Sequence, residues 1–152
     1  MEKQRVLFVC THNSARSQMA EGLLRDYAGD RFEAFSAGTE ATSVRPEAVA
    51  AMGEIGIDIG RQTSKTVERY LGDQFDWVIT VCDTAREVCP VFPGAKQAGH
   101  WSFDDPSEAT GTDAERMAVY RRVRDEIASR IRTFARADGL EGAPDKERKG
   151  VA

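Results

Sequence analysis

The sequence has few cysteines and no long hydrophobic run. Three cysteines occur in 152 residues, and an odd number cannot be paired completely into intramolecular disulfides. No apolar stretch approaches the length that spans a membrane, and no hydrophobic segment of a signal peptide follows the first five residues. These absences predict a cytoplasmic protein whose cysteines serve catalysis or metal binding and form no structural bridges.

The composition predicts one globular domain. Hydrophobic residues make up 41% of the chain and charged residues 30%, and the net charge is -4. The negative net charge argues against a general nucleic-acid-binding protein. We expect a monomeric domain over residues 1–137. Residues 138–152 are polar and lack hydrophobic periodicity, which predicts a disordered tail.

Short apolar runs alternate with amphipathic segments along the chain. This alternation predicts an α/β fold in which a four-stranded parallel sheet carries helices on both faces. The predicted strands cover residues 4–9, 32–36, 76–81 and 96–101, with Ala37-Gly38-Thr39 breaking the second strand. The predicted helices begin at Ser17 and Pro46, cover residues 63–71, and begin again after Thr112, which forms a capping box with Glu115.

The first strand leads through a short polar loop into the first helix. Cys10 ends the strand, and Arg16 and Ser17 stand where the helix opens. Backbone N–H groups in such a loop converge on an anion, and the helix dipole adds positive potential. The planar guanidinium of Arg16 matches two oxygens of a tetrahedral oxyanion. In this field we expect Cys10 to act as a thiolate nucleophile.

Two further reactive residues follow predicted strands. Cys82 comes after the third strand and Asp105 after the fourth. Ligands of parallel sheets bind at the carboxyl ends of the strands. We therefore expect Cys10, Cys82 and Asp105 to lie on one rim of the sheet.

Several motifs of the chain resemble one known family. They are C-T-x-N-S-x-R-S-Q-M-A-E-G at residues 10–22, S-A-G at 36–38, G-I-D-I at 56–59, Q-T-S at 62–64, Cys82 with Cys89-Pro90, and H-W-x-F-D-D-P at 100–106. Together they resemble the thioredoxin-coupled arsenate reductases of the low-molecular-weight protein tyrosine phosphatase superfamily. The resemblance covers residues 4 to about 137.

The resemblance implies a role for each residue of the loop and for the acid. Cys10 would attack arsenic, and Asp105 would protonate the leaving oxygen, its direction restricted by Pro106. The oxyanion would be bound by the loop, with Arg16 countering the developing charge. The implied oxyanion-binding residues are Thr11, His12, Asn13, Ser14, Ala15, Arg16 and Ser17.

The resemblance also implies a thiol relay with no cofactor. Cys82 would attack Cys10, release arsenite and leave a Cys10–Cys82 disulfide. Cys89 would then attack Cys82, and a thioredoxin-type protein would reduce the Cys82–Cys89 disulfide. Residues 83–88 between the two cysteines would have to unwind in part for this exchange.

Three alternatives stay open beside the reductase. The first is a phosphotyrosine or phosphomonoester phosphatase on the same scaffold, although Ser107 stands where such phosphatases usually carry an aromatic residue. The second is a redox sensor without turnover, which needs neither Arg16 nor Asp105. A zinc site built from cysteines and histidines is disfavoured, because no closely spaced Cys-Cys or His-His pair occurs.

Three positions depart from the family pattern, His12, Ala15 and Lys65. Relatives commonly carry glycine at position 12, so His12 would be strained if the backbone there required a positive φ. Relatives often carry cysteine at position 15, and Ala15 removes a possible side disulfide with Cys10. Some relatives hold a potassium ion with residues that match Asn13, Glu21, Ser36 and an aspartate at position 65. Our hypothesis is that the Lys65 ammonium replaces this ion by pairing with Glu21 and bonding Asn13 and Ser36. The alternative is a surface lysine on the third helix.

Overall fold

A computed structural model describes residues 3–82, 92 and 94–137. Four parallel strands form one sheet in the order β2-β1-β3-β4. Their bounds are β1 Gln4–Cys10, β2 Phe32–Gly38, β3 Phe75–Thr80 and β4 Ala95–His100. The two inner strands are almost entirely buried, as expected for strands that are covered on both faces.

Three α-helices and two single 3₁₀ turns complete the described fold. The helices are α1 Arg16–Ala28, α2 Pro46–Gly53 and α3 Asp113–Arg136, and the 3₁₀ turns are Val67–Tyr70 and Pro106–Glu108. The predicted capping box is present, since the Thr112 hydroxyl accepts from the Glu115 N–H and the Glu115 carboxylate accepts from the Thr112 N–H. No helix in the described ranges is both long enough and apolar enough to cross a membrane.

Helical segments cover both faces of the sheet. Phe32 and Phe35 are three residues apart in β2 and therefore point to opposite faces. Phe32 packs against Phe134 of α3, with 5.5 Å between the ring centroids. Phe35 packs on the other face against Tyr70 of the first 3₁₀ turn, at 5.8 Å. The predicted four-stranded parallel α/β fold is confirmed.

The second strand is longer than predicted. It continues through Ala37 and Gly38, where a break was expected, and Gly38 pairs in register with Cys10. An added Cβ at Gly38 would lie 2.5 Å from the Glu40 carbonyl oxygen, 2.7 Å from the Asn13 nitrogen and 2.8 Å from the Thr11 carbonyl oxygen. Gly38 therefore serves close packing of the loop after β1 and does not make a turn.

The helix predicted over residues 63–71 is wrong. Only Val67–Tyr70 forms a 3₁₀ turn, and residues 62–66 before it are not helical. The backbone there bonds to distant segments: the Lys65 N–H donates to the Asn13 side chain, and the Lys65 carbonyl accepts from the Gly38 N–H. These tertiary bonds use groups that a helix would need for its own ladder.

Residues 138–152 and 83–91 lie outside the described residues. The disordered tail and the segment that carries Cys89 therefore stay predictions.

Replacing Gly38 by alanine is expected to destabilise the protein by about 2 kcal/mol, because the new methyl group would meet three backbone atoms that cannot rotate away. Urea unfolding measures this change. Gly53→Ala is the matched control: nothing lies within 4 Å of its added Cβ. This control should gain up to about 1 kcal/mol from helix propensity. Equal stability of the two variants would contradict the packing assigned to Gly38.

Candidate active site

The loop between β1 and α1 has the properties of an anion site. It lies at the carboxyl end of β1 and leads directly into α1. In the described part of the chain, the backbone N–H groups of residues 12–16 have no hydrogen-bond acceptor. Several unpaired N–H groups in one short loop, followed by a helix N-terminus, attract an oxyanion.

The strained residue of the loop is Asn13 and not His12. Asn13 has a φ of 50°, the only positive value at a non-glycine residue in the described chain. Asparagine adopts this left-handed conformation more readily than most residues. The His12 side chain is half exposed, with Nε2 3.9 Å from a Glu40 oxygen. The positive φ that was considered for position 12 therefore occurs at Asn13, and asparagine tolerates it.

A chain of hydrogen bonds ends on the Cys10 sulfur. The Lys65 N–H donates to Asn13 Oδ1 at 2.8 Å, which turns the amide so that Asn13 Nδ2 donates to Ser17 Oγ at 2.8 Å. Ser17 Oγ lies 2.8 Å from Cys10 Sγ. Because the hydroxyl oxygen already accepts from Asn13, its own hydrogen is left for the sulfur. Ser17 therefore has the geometry to stabilise a thiolate on Cys10, beyond the oxyanion contact expected from the sequence.

Arg16 spans the loop and the segment after β4. Its Nη1 donates to the Phe103 carbonyl at 3.1 Å, and its Nη2 lies 3.4 Å from Asp105 Oδ2. Its Nε is buried and has no partner among the described groups. An unpaired buried donor is costly unless a ligand satisfies it. An oxyanion in the loop would supply that acceptor.

Asp105 is held in one orientation by Ser107. The Ser107 N–H and hydroxyl both donate to Asp105 Oδ1, at 2.9 and 2.7 Å. The other oxygen, Oδ2, faces Arg16. From the sequence, Ser107 served only as an argument against a phosphatase, and its contact with Asp105 was missed. Serine two residues after an aspartate is a recognisable turn pattern that could have indicated it.

Cys82 lies against the loop. Its sulfur is 3.3 Å from the Thr11 hydroxyl, and the side chain is buried. Cys10 ends β1 and Cys82 follows the neighbouring strand β3, and both are free thiols. The structure thus brings Cys10, Arg16, Cys82 and Asp105 to one edge, as the topology predicts. Cys89 lies outside the described residues.

The contacts below the loop differ from the Lys65 hypothesis. Glu21 is buried and accepts from the Ser36 hydroxyl at 2.5 Å, but its paired cation is Arg25, one turn along α1. The Lys65 ammonium donates to the Thr63 carbonyl, and only the Lys65 backbone contacts Asn13. Burial holds the pKa of Lys65 below its usual value, an effect that the nearby Glu21 charge partly offsets.

Protein groups already contact the oxygens of Glu21 and Asn13 that match the potassium ligands of relatives. Glu21 accepts from Ser36 and Arg25, and Asn13 Oδ1 accepts from the Lys65 N–H. Arg25 also donates to the Ala34 carbonyl at 3.2 Å and to Gln62 at 3.0 Å. Sequence reasoning missed Arg25, although its spacing of four residues from Glu21 is that of a helical ion pair.

A zinc site also finds no support in the ranges that the structure describes. No group of three or more histidine, cysteine, aspartate or glutamate side chains there could hold a metal ion. His100 contacts the Thr80 hydroxyl at 2.7 Å. His12 lies beside Glu40.

Comparison with known proteins agrees with this site. The family model described as low molecular weight phosphotyrosine protein phosphatase matches residues 5–143. An arsenate reductase of Halalkalibacterium halodurans is 55% identical over 135 residues, which cover 89% of this chain and 97% of the relative.

Two solved structures extend the comparison. An arsenate reductase in its phosphate-binding state is 34% identical with a TM-score of 0.76, over 88% of this chain and 98% of that one. A thioredoxin-dependent arsenate reductase of Corynebacterium glutamicum is 30% identical with a TM-score of 0.64, over 89% of this chain and 61% of that one. The chain therefore belongs to the low molecular weight phosphotyrosine protein phosphatase family and, within it, to the arsenate reductases.

Proposed function

We propose that the protein reduces arsenate to arsenite and that a thioredoxin-type protein returns it to the dithiol state. The observation that carries this proposal is the buried Cys82 thiol at 3.3 Å from the Thr11 hydroxyl of the anion-binding loop. A hydrolase of phosphate esters needs only the first thiol, whereas reduction of arsenic needs a second thiol close to it. The names of the relatives support the same substrate.

The first step is nucleophilic attack by Cys10. Arsenate binds to the free N–H groups of the loop and to Arg16, and the Cys10 thiolate, held by the Ser17 hydroxyl, attacks arsenic. A sulfur–arsenic bond forms while one oxygen leaves as water. Asp105 Oδ2 gives that oxygen its proton, since Oδ1 is already occupied by two bonds from Ser107.

The second step transfers two electrons to arsenic. The Cys82 thiolate attacks Cys10 Sγ, so that a sulfur–sulfur bond forms and the sulfur–arsenic bond breaks with its electron pair on arsenic. Arsenite leaves, and Cys10 and Cys82 are oxidised to a disulfide. Cys89 then attacks Cys82 and frees Cys10, and a dithiol partner reduces the Cys82–Cys89 disulfide. Because the relay requires a reducing compartment, we place this cycle in the cytoplasm. We also propose that the protein acts as a monomer.

A phosphatase is the second candidate. The loop, Arg16 and Asp105 suit phosphate as well as arsenate, because both are tetrahedral oxyanions of similar charge. Weak hydrolysis of phosphate esters is therefore expected in addition to arsenate reduction.

Cysteine variants separate the two candidates. In arsenate-dependent NADPH oxidation with thioredoxin and its reductase, Cys10→Ser and Cys82→Ser should each lose more than about a thousandfold in rate, because each lacks a nucleophile. Cys89→Ser should release about one arsenite per enzyme and then stop. Cys82→Ser is also the control for folding, since it should keep the phosphate-ester hydrolysis of the wild type. Full turnover by Cys89→Ser would overturn the relay, and equal efficiency on arsenate and phosphate esters would favour the phosphatase.

Ser17→Ala removes the hydrogen bond to Cys10 and is expected to lower kcat/KM about tenfold to a hundredfold at neutral pH. Steady-state kinetics on arsenate measures this change. Ser43→Ala, at an exposed serine, is the matched control and should keep the wild-type kcat/KM. A wild-type kcat/KM in Ser17→Ala would contradict a role of its hydroxyl at the Cys10 sulfur.

Potassium is expected to leave the activity unchanged, because Arg25 already neutralises Glu21. Turnover in potassium chloride and in sodium chloride of equal ionic strength tests this. Arg25→Met should lower activity by leaving a buried carboxylate without its cation, whereas Arg61→Met, at an exposed position, should not. Strong stimulation of the wild-type enzyme by potassium would contradict the assignment of Arg25 as the cation that neutralises Glu21.

A further inference from the structure

Gln18 is a fully buried polar residue that the proposed reaction does not use. It lies in the first turns of α1, below the anion-binding loop. A buried amide is retained at low cost only when its donors and acceptor are all bonded. The hydrogen-bond partners of Gln18 therefore indicate which segments its side chain positions.

The Gln18 amide makes three side-chain hydrogen bonds. Its Nε2 donates to the Asn13 carbonyl at 3.0 Å and to the Thr63 carbonyl at 2.9 Å. Its Oε1 accepts from Gln62 Nε2 at 2.7 Å. Because two of the partners are carbonyl oxygens, which only accept, the amide can face them in one orientation alone. Gln18 thus ties the loop to the segment that precedes the first 3₁₀ turn.

The bond to Asn13 sets the direction of a peptide plane. In a planar trans peptide, the N–H of Ser14 points opposite to the carbonyl of Asn13. With the carbonyl drawn toward Gln18, the Ser14 N–H points away from it, and this N–H has no acceptor among the described groups. Asn13 has a positive φ, a conformation that is sparsely populated and needs support from its surroundings.

We propose that Gln18 is a positioning residue for the oxyanion. By holding the Asn13 carbonyl it keeps the Asn13–Ser14 peptide in the orientation that offers the Ser14 N–H to a bound tetrahedral anion. Without this bond the peptide can rotate and present a carbonyl oxygen to the anion, which repels it. This role rests on the proposed function for its substrate, but it concerns the affinity for any tetrahedral oxyanion.

Gln18→Met tests the proposal, because methionine has a similar length and cannot donate. The probe is sulfate, whose binding is measured by calorimetry. We expect sulfate to bind about tenfold more weakly, with a similar rise in KM for arsenate. The kcat should stay within about threefold of wild type, since Cys10, Arg16 and Asp105 are untouched. A purely structural role would lower Tm and leave sulfate affinity and KM unchanged in the folded protein.

Leu24→Ala is the matched control on the same helix. Leu24 is fully buried but makes hydrophobic contacts only, so this variant should lower Tm without weakening sulfate binding. If Gln18→Met does not fold, Gln18→Asn decides. Asparagine keeps the amide but is one methylene shorter, so it cannot reach the Asn13 and Thr63 carbonyls together and should weaken sulfate binding about tenfold.

Wild-type sulfate affinity in folded Gln18→Met, or in folded Gln18→Asn where the first variant is unfolded, would overturn the proposal. Absence of arsenate reduction by the wild type would overturn the proposed function instead, and sulfate binding by the variants would still decide the role of Gln18.

Discussion

The hydrogen bond from Ser17 to the Cys10 sulfur is the interaction on which the rest of the site depends. Asn13 adopts a left-handed backbone conformation and donates its side-chain N–H to the same Ser17 hydroxyl, which leaves the hydroxyl hydrogen for the sulfur. The Lys65 N–H fixes that side chain from the far side of the loop. One strained residue is thus bonded through both its side chain and its carbonyl, which keeps the loop ready for an anion before any anion arrives.

Much of the fold can be predicted from local sequence, but the tertiary contacts that hold the anion-binding loop cannot. Apolar runs that end on Cys10 and near Cys82 predict parallel strands and place both thiols at one edge. The segment at residues 63–66 carries no comparable signal. Its backbone bonds to Asn13 and Gly38, which are distant in sequence, and these tertiary bonds override the helix that local preference predicts. Gly38 is likewise predicted to break the second strand, because its close packing becomes visible only in three dimensions.

The cation that pairs with Glu21 was also difficult to identify from the sequence. A buried Glu21 requires a positive neighbour, and the sequence offers both Lys65 and Arg25. Resemblance to relatives pointed to Lys65, whereas helix geometry points to Arg25, four residues along α1. Arginine also suits the place better, because its fork reaches Glu21, the Ala34 carbonyl and Gln62 together, and a lysine ammonium on one flexible stem is less well organised for this.

Thr11 connects the two halves of the chemistry. It follows Cys10 directly in the anion-binding loop, while its hydroxyl contacts Cys82. The sulfur of a Cys10 adduct is the atom that a second thiol must attack, and it is almost inaccessible to solvent. Cys82 is itself buried and contacts the loop that holds Cys10, so the protein supplies this thiol from within. A buried second thiol at the loop, more than any preference of the loop for arsenate over phosphate, favours transfer of electrons to arsenic.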